Sequence, residues 1–457
     1  MYKTVRFRIK RNHPLFEWCE TNSRLANNLY NAALFRVRNS LTGSKKEISK
    51  LTENEKEVLR ETEMNCIRHR PSPSGALSYY ALDELMRNSR NPDFYSGIPI
   101  HAAGNVMKSV CEAMKSFFVA VKAYNKDNSA FSGRPELPGY RKKGGLCFFT
   151  CSNQECHLFE GHGKLRLKLP KSKVSLSMGR YPVSGKLMEV NVIPDNGCFG
   201  IFVTFDTAAS VPEPAGRSVR IAAVDLGVSN LMTVTNNIGE PCTLYKGGRI
   251  KSINRLWAKK AGEIQSRQLE HKNRFRKEDC DKPVYFVSTR AYHELTDKRN
   301  NRVRDLFHKT AKHLVDWCVE NRIDTVVIGA NRDWKREVGL GKKENQKFVT
   351  IPYGMLKSFI RYRCEREGIR FIETEESYTS KASFPDKDDI PVYDRNNENK
   401  YAFSGKRGVG NKRWMYTTHD GTIIHSDING SANIMRKAFP YAFDSSALKF
   451  NSINVVR

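Results

Sequence analysis

No stretch of this sequence approaches the roughly 18 to 20 consecutive apolar residues that a membrane-spanning helix requires, and no single basic amphipathic helix dominates it, which sets a membrane partner aside. A secretory leader is equally absent from the start, where Met1-Tyr-Lys-Thr-Val-Arg-Phe-Arg-Ile-Lys10 alternates like a strand and has no apolar core, so a cytoplasmic location is expected. The eleven cysteines run from Cys19 to Cys364 in an odd number and without a regular framework, which suits reduced thiols rather than a disulfide scaffold. Only Cys147, Cys151, Cys156 and His157 lie close together; their spacing resembles a zinc site, but Cys147-Phe-Phe-Thr-Cys151 reads equally well as a strand. Acidic residues are scarce. With 49 Asp and Glu against 77 Lys and Arg, the 457 residues carry a formal charge of +28. That excess goes beyond what solubility requires and points to a polyanion, nucleic acid above all.

The length predicts more than one module. Tyr2 to Ile9 reads as a basic strand. Helical spacing follows through Leu25, Leu29, Tyr30, Ala33, Leu34 and Val37, then through Leu77 to Met86, and then through Val106, Val110, Met114, Phe117, Phe118 and Val121. A helical module over residues 13–125 is therefore expected. The turn-rich, basic segment Ser132 to Gly145 separates it from short alternating strands, and the first strand, having no partner nearby, is expected to join them. This predicts a β-barrel module from residues 1–12 and 126–215, interrupted by helices, with Pro212 to Gly216 as a linker.

Beyond the linker, Val219 to Leu226 reads as a buried strand, and Leu231 to Thr235 and Cys242 to Tyr245 complete a meander. A long basic helical stretch carries apolar residues at Val303, Leu306, Phe307, Ala311, Leu314 and Trp317. Thr325 to Ile328 is a strand, Pro352 to Glu367 a helix closed by Gly368, and Ile369 to Glu373 another strand. Three strands, helix, strand, helix, strand is the RNase H-like order, so residues 216–457 are expected to form an α/β nuclease-like domain.

Phosphodiester hydrolysis by metal ions needs several carboxylates converging on one point, because Mg²⁺ takes hard oxygen ligands and two ions roughly 4 Å apart must be neutralised together. Asp225 ends the run Ile221-Ala-Ala-Val224 just before Gly227, which fits the first such carboxylate or simply an Asp at a turn. Asp427 precedes the apolar Ala432, Ile434 and Met435, which fits a second carboxylate or a helix N-cap.

Taken with their surroundings, Ala223-Val-Asp-Leu-Gly-Val-Ser-Asn-Leu231 and Ser426-Asp-Ile-Asn-Gly-Ser-Ala-Asn-Ile434 resemble the first and third RuvC motifs of the TnpB nucleases, transposon-encoded relatives of type V CRISPR effectors. Lys298 to Lys309 and the Gly133 to Lys143 segment extend the resemblance over residues 130–440, and more loosely over the N-terminal third. It implies a RuvC domain at 216–457, a barrel-type wedge module and a helical recognition module. It also implies a guide RNA, target double-stranded DNA read beside a short motif, and cutting with two Mg²⁺ ions.

Two departures from the family pattern stand out. The fourth strand normally precedes a Glu, but here it reads Val326-Val-Ile-Gly-Ala330, with Gly329 at the expected place. Some members carry a relocated Glu ahead of a Thr-Ser-Lys motif, and Glu375-Glu376-Ser-Tyr-Thr-Ser-Lys381 resembles that arrangement; its spacing favours Glu376 over Glu375. The catalytic and metal-binding set implied is Asp225, Glu376 and Asp427. The family also places two Cys-x-x-Cys pairs before the third motif, but no cysteine lies between Thr379 and Asp427, so the insertion at about 379–424 is expected to be held without structural zinc.

Lys272, Arg274, Arg276 and Lys277, then Lys298, Arg299, Arg302 and Arg304, are candidates for nucleic-acid contact, although a solvated helix face explains such runs as well; His308 and Lys309 nearby fit phosphate or substrate contact, or a packing or surface role. A catalytically silent RNA-guided DNA-binding protein, a repressor, is the alternative if Gly329 marks a lost site. A DNA transposase proper is disfavoured because no Tyr-containing His-hydrophobic-His motif occurs.

Overall fold

The computed structural model describes residues 2–129, 131–179, 185–207, 219–274, 285–330, 350–392, 401–443 and 448–457. The expected linker at 212–216 lies outside them. The chain divides into two units, Met1–Ala209 and Ser210–Arg457.

In the first unit, strand β1 (Tyr2–Ile9) is followed by helices α1 (Phe16–Gly43), α2 (Glu53–Asn65), α3 (Tyr79–Asn88) and α4 (Ile100–Lys126). The helical spacing of α1 buries Leu29, Tyr30, Ala33, Leu34 and Val37 on one face. Helix α2 begins with a reciprocal capping box between Thr52 and Glu55. On α4 the buried stripe stops at Met114, and Phe118 lies exposed where the spacing had predicted core.

Strands β2 (Phe149–Ser152), β3 (His157–Gly161), β4 (Lys164–Lys168), β5 (Ser175–Gly179), β6 (Lys186–Asp195) and β7 (Cys198–Asp206) follow. As expected, β1 crosses the helical insertion to pair with a distant strand, running antiparallel to β7 from Tyr2 opposite Asp206 to Ile9 opposite Phe199. The pairing does not close into a barrel among the described residues: one sheet has the order β1-β7-β6-β2 and a second the order β3-β4-β5. The basic 132–145 segment is clamped to α1 by Asn27, Asn31 and Arg38, whose side chains donate to the carbonyls of Lys142, Arg141 and Pro138. Cys147, Cys151 and Cys156 are buried thiols of this β region, and no cluster of three His, Cys, Asp or Glu able to hold a metal forms there among the described residues.

The second unit is built on one six-stranded sheet. Its strands are β8 (Ile221–Leu226), β9 (Asn230–Asn236), β10 (Cys242–Lys246), β11 (Thr325–Ala330), β12 (Arg370–Glu375) and β16 (Ile453–Val456), in the order β12-β11-β8-β9-β10-β16. The antiparallel β8-β9-β10 meander and the parallel strands β11 and β12 follow the predicted order, and β16 adds a parallel edge on β10 that sequence reasoning missed. Strand β8 starts at Ile221 rather than Val219 because the Asp324 carboxylate takes the N–H groups of Val219 and Arg220 at 2.9 and 2.8 Å.

Strand alternation decides what lies on each face. Ala222, Val224, Leu226, Val326 and Ile328 pack with Phe307, Leu314, Leu356 and Ile360 of helices α6 (Arg290–Glu320) and α7 (Tyr353–Arg366). Ile221, Ala223 and Val327 face the other way, against Ile434 and Met435 of α8 (Ser426–Ala438). Asp225 and Gly329 share the parity of that second set, so the sheet points both toward α8.

The insertion before α8 holds a small sheet of β13 (Lys406–Arg407), β14 (Met415–Thr417) and β15 (Ile423–His425). Without cysteine ligands it is pinned by Tyr416, which is fully buried and donates its hydroxyl to Lys381 O at 2.7 Å, and by the Asp388 carboxylate, which takes the N–H groups of Ser383 and Ser404. Tyr416→Ala would remove the largest fully buried side chain, at a cost of about 3–5 kcal/mol. Hydrogen exchange should rise across residues 401–425 while the six-stranded sheet stays protected.

Candidate active site

Three adjacent parallel strands end together, and ligands of open α/β sheets gather at such carboxyl ends. Asp225 lies near the end of β8. Gly329 lies one residue past the last β11–β8 pair, Ile328 with Val224, and Glu376 follows the last residue of β12. A Cβ built on Gly329 would sit 2.2 Å from Glu376 Oε2 and 3.2 Å from its Cβ. Glu376 therefore fills the space that any side chain on β11 at this position would occupy.

Helix α8 brings the second aspartate. The cap of this helix is His425, whose Nδ1 accepts from the Asp427 N–H at 3.2 Å; Asp427 is not the N-cap and its carboxylate is left to face the sheet. Each polar residue of the motif around it has a defined contact. Asn429 and Asn433 donate to Ala382 O at 2.8 and 2.7 Å, and Asn433 also reaches Thr379 O, which fixes the Thr379-Ser-Lys segment against the helix. Ser431 donates to Ala223 O at 3.0 Å, locking α8 onto β8. Gly430 lets Asp225 approach, since a Cβ there would lie 3.1 Å from Asp225 Oδ2.

The electrostatics follow from this crowding. Desolvation first, then the charges of Asp427 and Glu376, hold the Asp225 carboxyl well above its ordinary range, although part of the residue still reaches solvent. Burial pushes Glu376 up to about 7, against a smaller opposing pull from Lys357, and its Oε2 is buried with no hydrogen-bond partner. Glu375 differs. Lys437 pairs with it and Ser377 N–H donates to it at 2.6 Å, which outweighs desolvation and holds it below the ordinary value. Asp427 accepts from Asn230 Nδ2 at 2.8 Å and pairs with Arg407 at 3.0 Å, while Lys246 donates to Asn230 Oδ1 at 3.0 Å. Asn230 stood unremarked inside the first motif; Arg407 carries no local signal and reaches Asp427 only through the fold of the insertion.

Among the described residues, no three His, Cys, Asp or Glu side chains already close a metal shell. An orphaned buried carboxylate oxygen beside a second destabilised carboxylate is nonetheless the donor chemistry a divalent cation requires. Asp225, Glu376 and Asp427 thus fit a hard cation.

The basic candidates separate into two kinds. Lys298, Arg302 and Lys309 lie exposed on α6, Lys309 in an exposed i,i+4 pair with Asp305 at 2.8 Å. Arg299 is engaged internally, donating to Asn254 Oδ1 at 2.8 Å and to Thr350 O at 2.5 Å. His308 stacks on Phe359 at 3.9 Å between ring centroids. On helix α5 (Gly248–Arg274), Lys272 donates to Tyr285 O at 3.0 Å. The side chain of Arg274, and Arg276 and Lys277 entirely, lie outside the described residues.

Comparison with known proteins bears on this arrangement. Residues 204–335 match the OrfB_IS605 family, described as "Probable transposase", and residues 353–434 match the Cas12f1-like TNB domain. The TnpB-like protein ORF457 of Acidianus two-tailed virus is 26% identical over 230 residues, 50% of this chain and 43% of that protein. The chain is thus similar to TnpB-like proteins over its second half. The match spans less than half the length of that viral relative. Two solved structures align at low similarity: a Cas12f1-sgRNA-target DNA complex (TM-score 0.30, 14% identity, 95% of this chain and 98% of that chain) and the mini-RNA-guided endonuclease CRISPR-Cas_phi3 (0.39, 11%, 96% and 92%). No helix among the described residues is long and apolar enough to cross a membrane.

The pH dependence of this chain follows from its raised carboxyls. A group held at about 7 when folded and near 4.5 when unfolded binds its proton more tightly in the folded state, so the stability it confers is complete below about 4.5 and is lost as pH rises through 7. In chelator, melting temperature should fall between pH 5 and 8. Glu376→Gln should flatten that fall and raise stability at pH 8.

Proposed function

We propose that this chain is an RNA-guided DNA endonuclease with a RuvC-like site, in which Asp225, Glu376 and Asp427 hold divalent metal, two Mg²⁺ ions. The supporting observation is the superposition of Glu376 Oε2 on the space above Gly329. The missing fourth-strand acid is replaced in place by one carried on the neighbouring strand, with its buried oxygen unpartnered. Glu375, tied to Lys437, is the positioning neighbour and not the third ligand.

When bound, such ions lower the pKa of water and stabilise charge on the phosphate and the leaving oxygen. The chain's own contributions are distinct. Asp225 and Glu376 supply negative charge that burial makes costly until a cation arrives. Asn230, supported by Lys246, holds the Asp427 carboxylate in one orientation. Gly430 keeps the approach to Asp225 open.

Guide RNA and matched double-stranded DNA are the partners this reading assigns, sequence being delegated to base pairing. The resemblance of the RuvC-type motifs to TnpB-like proteins, not structural similarity, supports the assignment here. Lys298, Arg302 and Lys309, exposed on α6, would take phosphates of any sequence. The wedge and recognition roles of 1–12 with 126–215 and of 13–125 belong to the same proposal, with the nuclease domain at 216–457.

The test is to purify the chain with its co-expressed RNA, sequence that RNA, and assay Mg²⁺-dependent cutting of a matched plasmid library. Glu376→Ala and Asp225→Ala should each cut at least a hundredfold more slowly, equivalent to about 2.7 kcal/mol of barrier. The double variant Gly329→Glu with Glu376→Ala should recover part of that loss. Binding without cutting by the wild type would favour the repressor reading, and absence of bound RNA would refute guided recognition.

A further inference from the structure

The chain turns immediately after Glu376, through residues 377–380, and it does so in a conformation that one of those residues resists. Tyr378 has a φ of +64°, in the left-handed region where the Cβ of a bulky L residue crowds the backbone. Of the non-glycine residues with positive φ among those described, it is the only one within two residues of a proposed metal ligand. Strain at such a point persists only where the surrounding contacts over-determine it.

Those contacts engage both the ring and the backbone. Between ring centroids, Tyr378 lies 5.3 Å from Tyr401 and 6.1 Å from Phe403, and Lys381 Nζ stands 5.7 Å from the Tyr378 centroid. The Tyr378 carbonyl accepts from the N–H groups of Lys381 and Ala382, each at 2.9 Å. Ser377 O accepts from Lys437 Nζ at 3.1 Å, and Glu376 O accepts from Thr379 N–H at 3.3 Å and from Thr379 Oγ1 at 2.8 Å. Thr379 is itself buried, with its carbonyl taken by Asn433 of α8. Every carbonyl from residue 376 to 379 is thus fixed, whereas the Glu376 side chain keeps Oε2 buried without a partner. A buried polar atom with nothing to bond is drawn toward water. What keeps it above Gly329 is the direction in which the backbone leaves β12.

We infer that Tyr378 is a positioning residue: its ring, clasped by Tyr401 and Phe403, holds the left-handed turn that keeps the Glu376 carboxylate above Gly329 and in place for a divalent cation. This rests on the reading of Asp225, Glu376 and Asp427 as a cation site. The ring itself touches neither cation nor substrate. It acts through the φ of its own residue, so glycine, which adopts that conformation without strain, should serve even without the ring.

The probe is Mn²⁺ alone, titrated into the full chain and followed by the loss of the free-ion paramagnetic resonance signal, with the melting temperature of each variant recorded in chelator. Tyr378→Phe, which keeps the ring, should bind as wild type does. Tyr378→Ala should bind Mn²⁺ about tenfold more weakly, because alanine without the ring contacts abandons positive φ. Tyr378→Gly should stay within about threefold of wild type even where its melting temperature falls with the lost ring contacts. Tyr378→Leu keeps apolar bulk but resists the conformation, so it should weaken with Tyr378→Ala and stands in for it if the alanine variant does not fold. Wild-type affinity in Tyr378→Ala and Tyr378→Leu would overturn the positioning role and leave the cation site standing. Binding by Tyr378→Gly as weak as by Tyr378→Leu would overturn the backbone account, since the ring alone would then matter. No Mn²⁺ bound by wild type would sink the cation site and this inference with it.

Discussion

Carboxylates repel one another and resist leaving water, so a protein that gathers them at one point must fix each by structure elsewhere. In the second unit the fixing begins with strand alternation, which turns Asp225 to the α8 side of the sheet. Ser431 then bonds the β8 backbone, Asn429 and Asn433 bond the segment after β12, and the His425 cap leaves the Asp427 side chain for the site. Each of these contacts is neutral and short-range. Together they hold Asp225, Glu376 and Asp427 at a cost that is mostly desolvation, which raises the Asp225 and Glu376 carboxyls, with the charges of Asp427 and Glu376 adding to it at Asp225. The arrangement is destabilising on its own and becomes favourable when positive charge is supplied. Arg407 already supplies some of it to Asp427.

The replacement of a side chain on β11 by one arriving from β12 is a matter of geometry. Parallel neighbours end side by side, so an acid one residue beyond the end of β12 reaches the place above Gly329 with only its own side-chain length. A residue larger than glycine at 329 would exclude it. Gly329 and Glu376 are accordingly a coupled pair, and the absence of an acid on β11 gives no ground by itself for reading the site as lost.

Much of this was legible from residue order. The meander, the alternating strands and helices, Asp225 at a strand end and the pairing of β1 across the helices all rest on periodicity and turn chemistry, which are local. What escaped was non-local. His425 displaced Asp427 as the cap because the helix already begins at Ser426, so that the His425 imidazole accepts the Asp427 N–H. Arg299, a candidate for nucleic-acid contact, is engaged by Asn254 and Thr350 from elements far away in sequence, and His308 stacks on Phe359. Arg407 stands 20 residues from Asp427 in an insertion whose pairing no motif announces. Among the described residues the strands of the first unit form two sheets rather than a closed barrel, for the same reason: alternation identifies strands but not whether the last one returns to the first.

The decisive property is that the three carboxylates act as one cation site. Crystals grown or soaked with Mn²⁺ and measured for anomalous scattering test this without reference to DNA cutting. Density bonded to Asp225 and Glu376 Oε2, reaching Asp427, and lost in Glu376→Gln, is the predicted result. Manganese absent from this point at saturating concentration, or bound unchanged in Glu376→Gln, would contradict it.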